Sequence, residues 1–211
     1  MTTRHSAIIF DFDGTVALGH GPVEAYARAI PEEALDAPES FAKEVAAALT
    51  DIDNLTSPYR DGYHAVAEIA IAQGIEKDTL SRAYIRSREL LGTDEAEVNM
   101  PQNLPGLLEE LAPHSWLVLA TNAPATGVEA VLTDWGILQF FDQLSFNTGK
   151  PAGMAELIEG IGSQRILAIG DIDENDLAPA AELGADTLLV TPHHTLDDAA
   201  EDIIAWAQQG E

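Results

Sequence analysis

Two aspartates one residue apart, Asp11 and Asp13, follow the apolar run Ala7-Ile8-Ile9-Phe10 and precede Gly14-Thr15. A short apolar run of this kind predicts a buried strand. Alternate strand residues point to opposite faces, so two acids serving one side need the chain to turn where the strand ends. Gly14 supplies the freedom for that turn. Crowded carboxylates repel one another and call for a cation or a shared proton between them. An ordinary acidic turn has the same composition, because Asp and Gly are common turn residues. The rest of the chain decides between the two.

Three further polar groups stand at the ends of predicted strands. Thr121-Asn122 follows Trp116-Leu117-Val118-Leu119-Ala120. Lys150, within Gly149-Lys150-Pro151, follows the shorter candidate Leu144-Ser145-Phe146. Gly170-Asp171-Ile172-Asp173-Glu174-Asn175-Asp176 follows Ile166 to Ile169 and holds four acids in six residues. Taken singly, these are a helix cap, a surface lysine and an acidic capping loop. Jointly they place carboxylates, hydroxyl and amide donors and one ammonium at successive strand ends. The chain has only three lysines, Lys43, Lys77 and Lys150. Lys150 is therefore the one lysine in this half of the chain that can balance clustered acids, and four acids at a strand end suit a cation site.

The elements that position these groups fall into two patterns. From Pro105 onward strands and helices alternate: helices at 106–111, 127–135, 152–161, 177–183 and 196–208, strands at 116–120, 144–146, 166–169 and 187–190. Such alternation predicts crossover units and a parallel sheet covered on both faces. Between about Pro22 and Leu91 the chain predicts only helices, at 23–30, 39–49, 62–73 and 78–91. The first strand thus belongs with the later half, and a helical block is inserted between them. In open parallel sheets, ligands bind outside the carboxyl ends of the strands, where the candidate groups stand.

On these residues the chain resembles the haloacid dehalogenase (HAD) superfamily, in its phosphatase branch. Asp11-x-Asp13-x-Thr15 matches the first family motif, Thr121 with Asn122 the second, Lys150 before Pro151 the third, and Gly170-Asp171 with Asp176 the fourth. The likeness implies an α/β fold, a Rossmann-like, doubly wound parallel sheet over residues 1–17 and 99–211. It also implies an all-helical C1-type cap over 18–98, as in phosphoglycolate-phosphatase-like members. The implied activity is a Mg²⁺-dependent phosphatase acting on a small phosphorylated metabolite through an aspartyl-phosphate. Asp11 would be the nucleophile and Asp13 the general acid and base. Mg²⁺ would be held by Asp11, the Asp13 backbone carbonyl and Asp171, with Asp176 binding it directly or through water, or orienting Asp171 or Lys150. Thr121 and the Asn122 amide would hold the phosphoryl group, and Lys150 would balance its charge and that of Asp11. Dehalogenases of the family lack a carboxylate at the Asp13 position, so Asp13 favours phosphate-ester chemistry.

The inserted block carries seven of the ten basic residues: Arg28, Lys43, Arg60, Lys77, Arg82, Arg86 and Arg88. Arg60, in a loop beside Tyr63 and His64, is the expected substrate contact; solvated helix faces account for most of the others. His20 reads as a turn histidine. Two departures from the family are visible. Val16-Ala17-Leu18-Gly19-His20 stands where an Asp-Ser pair is common, and the loop from Asn147 to Pro151 is short. Two alternatives remain open at this point, a phosphomutase of the same family (β-phosphoglucomutase-like) and a non-catalytic phosphate- or Mg²⁺-sensing module.

Composition bounds the partners. Of 211 residues, 36 are acidic and 10 basic, a formal net charge of −26. That field repels nucleic acid and anionic membrane surfaces, so a phosphorylated substrate needs a local positive site. No apolar run approaches the ~20 residues that span a bilayer, no stretch near Met1 reads as a signal peptide, and there is no cysteine. The expectation is a cytoplasmic monomer or weak homodimer whose partner is a small phosphate ester.

Overall fold

In the computed structural model, which describes residues 4–34, 40–163 and 165–209, the SAIIF segment forms β1 (Ser6–Phe10), and all five of its side chains are buried. A strand buried on both faces must be covered on both, which explains the uninterrupted apolar run. β1 pairs in parallel with β2 (Ser115–Ala120) on one side and β4 (Arg165–Gly170) on the other. β3 (Gln143–Ser145) and β5 (Asp186–Leu189) form the edges, giving the order β3-β2-β1-β4-β5. All four pairings are parallel. This is the expected α/β, Rossmann-like sheet, and its order changes direction at β1.

One face of the sheet, with Ala7, Ile9, Val118, Ala120, Ile166 and Ala168, packs on Met154 and Leu157 of α7 (Met154–Ile161) and Ala180 of α8 (Ala178–Glu182). The alternate residues Ile8 and Phe10 face the other way, and Phe10 meets the Phe141 ring edge-on at 6.2 Å. Helices α5 (Leu104–Leu111) and α9 (Leu196–Gln208) pack together, and α5 lies on β2. Helix α6 (Val128–Asp134) follows β2. Leu18 and Asn99 exchange backbone hydrogen bonds of 2.8 and 2.9 Å, joining the chain where it leaves this sheet and where it returns.

The chain divides into two compact units, Met1–Leu18 with Asn99–Ala125 and Glu129–Glu211, and Gly19–Val98 with Thr126–Val128. The second unit is helical: α1 (Gly21–Glu33), α2 (Phe41–Asp53), α3 (Gly62–Ala72) and α4 (Lys77–Glu89). Its own core gathers Tyr26, Ile30, Phe41, Leu49, Val66 and Leu80. The Asp61 side chain caps α3 by accepting the His64 N–H at 2.7 Å. His20 sits 2.7 Å from Asp53 within this unit. No described helix is long and apolar enough to cross a membrane.

Several boundaries differ from the sequence expectation. α1 runs on through Pro31, because a proline near a helix end forfeits only one N–H bond and Ala34 N–H still reaches Ile30 O at 2.8 Å. The expected start of the second helix at Glu39 lies outside the described residues. β3 and β5 each sit one residue earlier than read. The acidic segment Asp173–Leu177 winds as a π-helical turn, so α8 proper begins only at Ala178.

Candidate active site

The backbone turns sharply after β1. Asp11 N–H still pairs with Ile169 O at 2.9 Å, continuing the sheet. Ala17 N–H then reaches back to Phe12 O at 2.8 Å, and Gly14 N–H bonds Ala17 O at 2.8 Å. Gly14 adopts φ +87°, a left-handed conformation that side chains disfavour. A Cβ there would stand 2.2 Å from Asp171 Oδ2, so the glycine also admits the carboxylate of the fourth strand end. Gly14→Ala is therefore expected to strain the backbone and displace Asp171. It should cost about 1–3 kcal/mol, read as a Tm lower by several degrees in thermal denaturation.

The structure brings Asp11, Lys150, Asp171 and Asp176 together within the α/β unit. Oxygens of Asp11, Asp171 and Asp176 lie within 4.8 Å of one another. Lys150 Nζ donates to Asp11 Oδ1 at 2.6 Å, to Asp176 Oδ1 at 2.6 Å and to Ala120 O at 2.8 Å. Its three protons are thus committed. Asp11, Lys150 and Asp176 are each more than nine-tenths buried. The second oxygen of Asp176 accepts the Ile172 N–H at 3.1 Å. Asp176 bends tightly over Gly170, where a Cβ would meet its own Cβ at 2.4 Å.

Electrostatics follow from this crowding. Burial raises the Asp11 carboxyl to about 7; the Lys150 ammonium pulls it down and Asp176 pushes it up. Burial opposes the charge of Lys150, but Asp11 and Asp176 more than offset it and hold its pKa above the ordinary value. Both shifts have one origin: two carboxylates share one ammonium in a dry place, so the proton on nitrogen is kept and a proton on Asp11 is favoured. With all three acids ionised, Lys150 leaves two negative charges uncompensated. A hard divalent cation fits that donor set of carboxylate oxygens. Lys150 and Ile172 engage both Asp176 oxygens, whereas Asp11 Oδ2 has no partner among the described residues. Asp11 and Asp171 are accordingly the better direct ligands.

The other sequence candidates stand as follows. Asp13 is half-buried beyond the turn and close enough to Asp11 for its charge to raise the Asp11 pKa; its carboxylate is not among the three clustered acids. Thr121 is buried, and its Oγ1 accepts the Ala123 N–H at 3.0 Å, leaving its own proton to donate. The Asn122 carboxamide is bound on both ends to the backbone of Lys150. Asp173 and Glu174 are exposed. Arg60 belongs to the helical unit, where it is exposed with Nε 3.4 Å from Asp61 Oδ2. Two features escaped the sequence. Ala120 serves through a backbone carbonyl, which no side chain announces. In the helical unit, Arg88 is fully buried and donates to the Tyr63 hydroxyl at 2.8 Å, although its helix position reads as a solvated face.

A model of haloacid dehalogenase-like hydrolases matches residues 5–184. No curated protein matches the chain significantly. Among solved structures, the chain is similar to a predicted phosphoglycolate phosphatase of Haemophilus somnus 129PT, with 20% identity over 99% of this chain and 100% of that one, TM-score 0.65. It is also similar to YfnB of Bacillus subtilis, a HAD-hydrolase structure bound to magnesium, with 19% identity over 89% of each chain, TM-score 0.61. A 2-haloacid dehalogenase of Pseudomonas syringae pv. tomato DC3000 matches with 16% identity over 97% and 100%, TM-score 0.58. At these identities the likeness concerns the fold, and it spans both reaction types.

Proposed function

The chain belongs to the haloacid dehalogenase-like hydrolases, and from that premise we propose that it is a Mg²⁺-dependent phosphatase of a small phosphorylated metabolite, working through an aspartyl-phosphate. The observation that carries this proposal is the pairing of Asp11, held by Lys150 at 2.6 Å, with a second carboxylate, Asp13, across the turn. A halide leaves without a proton and gives Asp13 no task; an alkoxide leaving from phosphorus needs one.

The residues divide the work. Asp11 is held by Lys150 through Oδ1, and its carboxylate attacks phosphorus in line. The new P–O bond to Asp11 forms as the ester P–O bond breaks, and Asp13 gives its proton to the departing oxygen. Asp13, now a carboxylate, takes a proton from water. The water oxygen then bonds phosphorus, the Asp11–phosphorus bond breaks, and inorganic phosphate is released with both aspartates restored. Thr121 donates its hydroxyl proton to the transferring group. Lys150 keeps its charge throughout and balances the charge developing on the phosphoryl oxygens. Asp11 and Asp171, with the Asp13 backbone carbonyl, would hold Mg²⁺, and Asp176 keeps Lys150 in place. Bound Mg²⁺ would offset the surplus negative charge and polarise a phosphoryl oxygen.

The test is turnover of p-nitrophenyl phosphate and of a panel of alkyl phosphates with Mg²⁺ and with EDTA. Mg²⁺-dependent release of inorganic phosphate is expected. Absence of release across the panel would overturn the proposal, and transfer between two positions of one sugar phosphate would indicate a mutase instead. Asp13→Asn is expected to lower kcat roughly 10²–10⁴-fold. The loss should be larger for alkyl esters than for p-nitrophenyl phosphate, whose phenolate leaves without a proton. Equal losses for both would remove Asp13 from the acid role.

A further inference from the structure

We infer that Asn122 is a positioning residue that sets the place of the Lys150 ammonium; its consequence for turnover rests on the phosphatase proposal. Lys150 is 7% exposed, so its own peptide groups are withdrawn from water. Its N–H donates to Asn122 Oδ1 at 2.7 Å, and its C=O accepts from Asn122 Nδ2 at 2.9 Å. One side chain thus satisfies both backbone groups of a residue 28 positions away. Because one partner is a donor and the other an acceptor, the orientation of the carboxamide is fixed by chemistry.

This tie matters because the rest of the segment has unusual backbone. Asn147 at φ +48° and Gly149 at φ +74° both take the left-handed conformation, on either side of Thr148. Two further anchors, Asn147 N–H to Ala123 O at 2.9 Å and Thr148 N–H to Thr121 O at 3.0 Å, hold the start of the loop. Neither reaches Lys150. The carboxamide is the described contact that binds the Lys150 peptide groups across to the end of β2. Its side chain must then deliver Nζ to three acceptors at 2.6–2.8 Å. A small displacement of the Lys150 backbone would break that fit. Displacements of ~1 Å at a catalytic group can cost ~10²-fold in rate.

Loss of the two part-buried hydrogen bonds to Lys150 has its own cost, so a fall in stability alone does not establish positioning. Two readouts separate the roles. The first is acetylation of lysines by an N-hydroxysuccinimide ester, followed by mass spectrometry, which needs no activity. Lys43 and Lys77 are exposed and serve as internal controls. Asn122→Ala is expected to speed labelling of Lys150 by about 10-fold, on the scale of one lost hydrogen bond, with Lys43 and Lys77 unchanged. The second is kinetics on p-nitrophenyl phosphate. kcat should fall about 10²-fold with KM within about twofold. Asn122→Asp keeps the acceptor for the Lys150 N–H and turns a lone pair towards the Lys150 carbonyl. It should show smaller changes in the same direction, and it carries both readouts where Asn122→Ala does not fold. Unchanged Lys150 labelling in a folded variant would overturn the inference, as would a raised KM with kcat intact, which would make Asn122 a substrate contact. If wild-type protein lacks turnover altogether, the phosphatase proposal fails while the labelling result still decides the role of Asn122.

Discussion

Asp11→Asn is expected to reduce turnover of phosphate esters by at least ~10³-fold while leaving the protein folded. The carboxamide keeps the shape of the side chain and an oxygen for Lys150, which sits 2.6 Å from Asp11 Oδ1. It has no anionic oxygen with which to attack phosphorus. The stability consequence has the opposite sign. Burial raises the Asp11 carboxyl to about 7, above its ordinary 3.8, so the folded protein holds that proton more firmly than the unfolded chain does. Ionising it costs stability. In metal-free protein this penalty is absent below about pH 4, grows as pH rises towards 7 and is fully present above it. Asp11→Asn removes the penalty. In EDTA its Tm is expected to exceed that of wild type at pH 8 and to match it near pH 4. An Asp11→Asn protein less stable than wild type at pH 8 would contradict this account of the site.

Lys150→Met should also remove activity, with a large loss of stability instead of a gain. The ammonium is the shared partner of Asp11 Oδ1, Asp176 Oδ1 and Ala120 O. Its removal leaves two buried carboxylates with no positive neighbour. Breaking a buried pair from one side costs about 3–5 kcal/mol, which for a chain of this size lowers Tm by about 10 °C. Mg²⁺ should recover part of that loss, because a divalent charge beside Asp11 and Asp171 opposes the same repulsion. For wild type, Mg²⁺ at about a hundredfold its dissociation constant should add about 2.7 kcal/mol. Calorimetry of wild type, Asp11→Asn and Lys150→Met, each with Mg²⁺ and with EDTA, tests the account. The order of Tm in EDTA at pH 8 should be Asp11→Asn, wild type, Lys150→Met. A Lys150→Met protein as stable as wild type would mean that the acids are not electrostatically coupled.

The sequence revealed what strongly periodic burial and chemistry of single residues can reveal. Ala7-Ile8-Ile9-Phe10 has no polar residue to show to water, so its central place in the sheet was legible, and Asp11 at its end was legible with it. Lys150 stood out because its half of the chain has no other lysine. What stayed hidden depends on approach in space. Gly14 reads as a turn glycine, and only the fold shows Asp171 lying where its Cβ would be. Asn122 reads as a helix cap or a ligand, because nothing local announces that both ends of its carboxamide are spent on a loop 28 residues away. The acidic segment at Asp173–Leu177 reads as a capping loop, and nothing local announces its π-helical winding, in which Asp176 accepts the Ile172 N–H and the Lys150 ammonium.

The strand order carries a consequence for biosynthesis. β1 precedes the other four strands of its sheet along the chain, yet it occupies the middle, with β2 and β4 on either side. Its neighbours are separated from it by long stretches of chain: Ser6 pairs with Ser115 and with Arg165. A nascent chain therefore holds the SAIIF segment without at least one of its two flanking strands until translation has passed Gly170. Fragments that stop earlier should expose that segment and aggregate, and chaperone dependence should end abruptly once β4 is made.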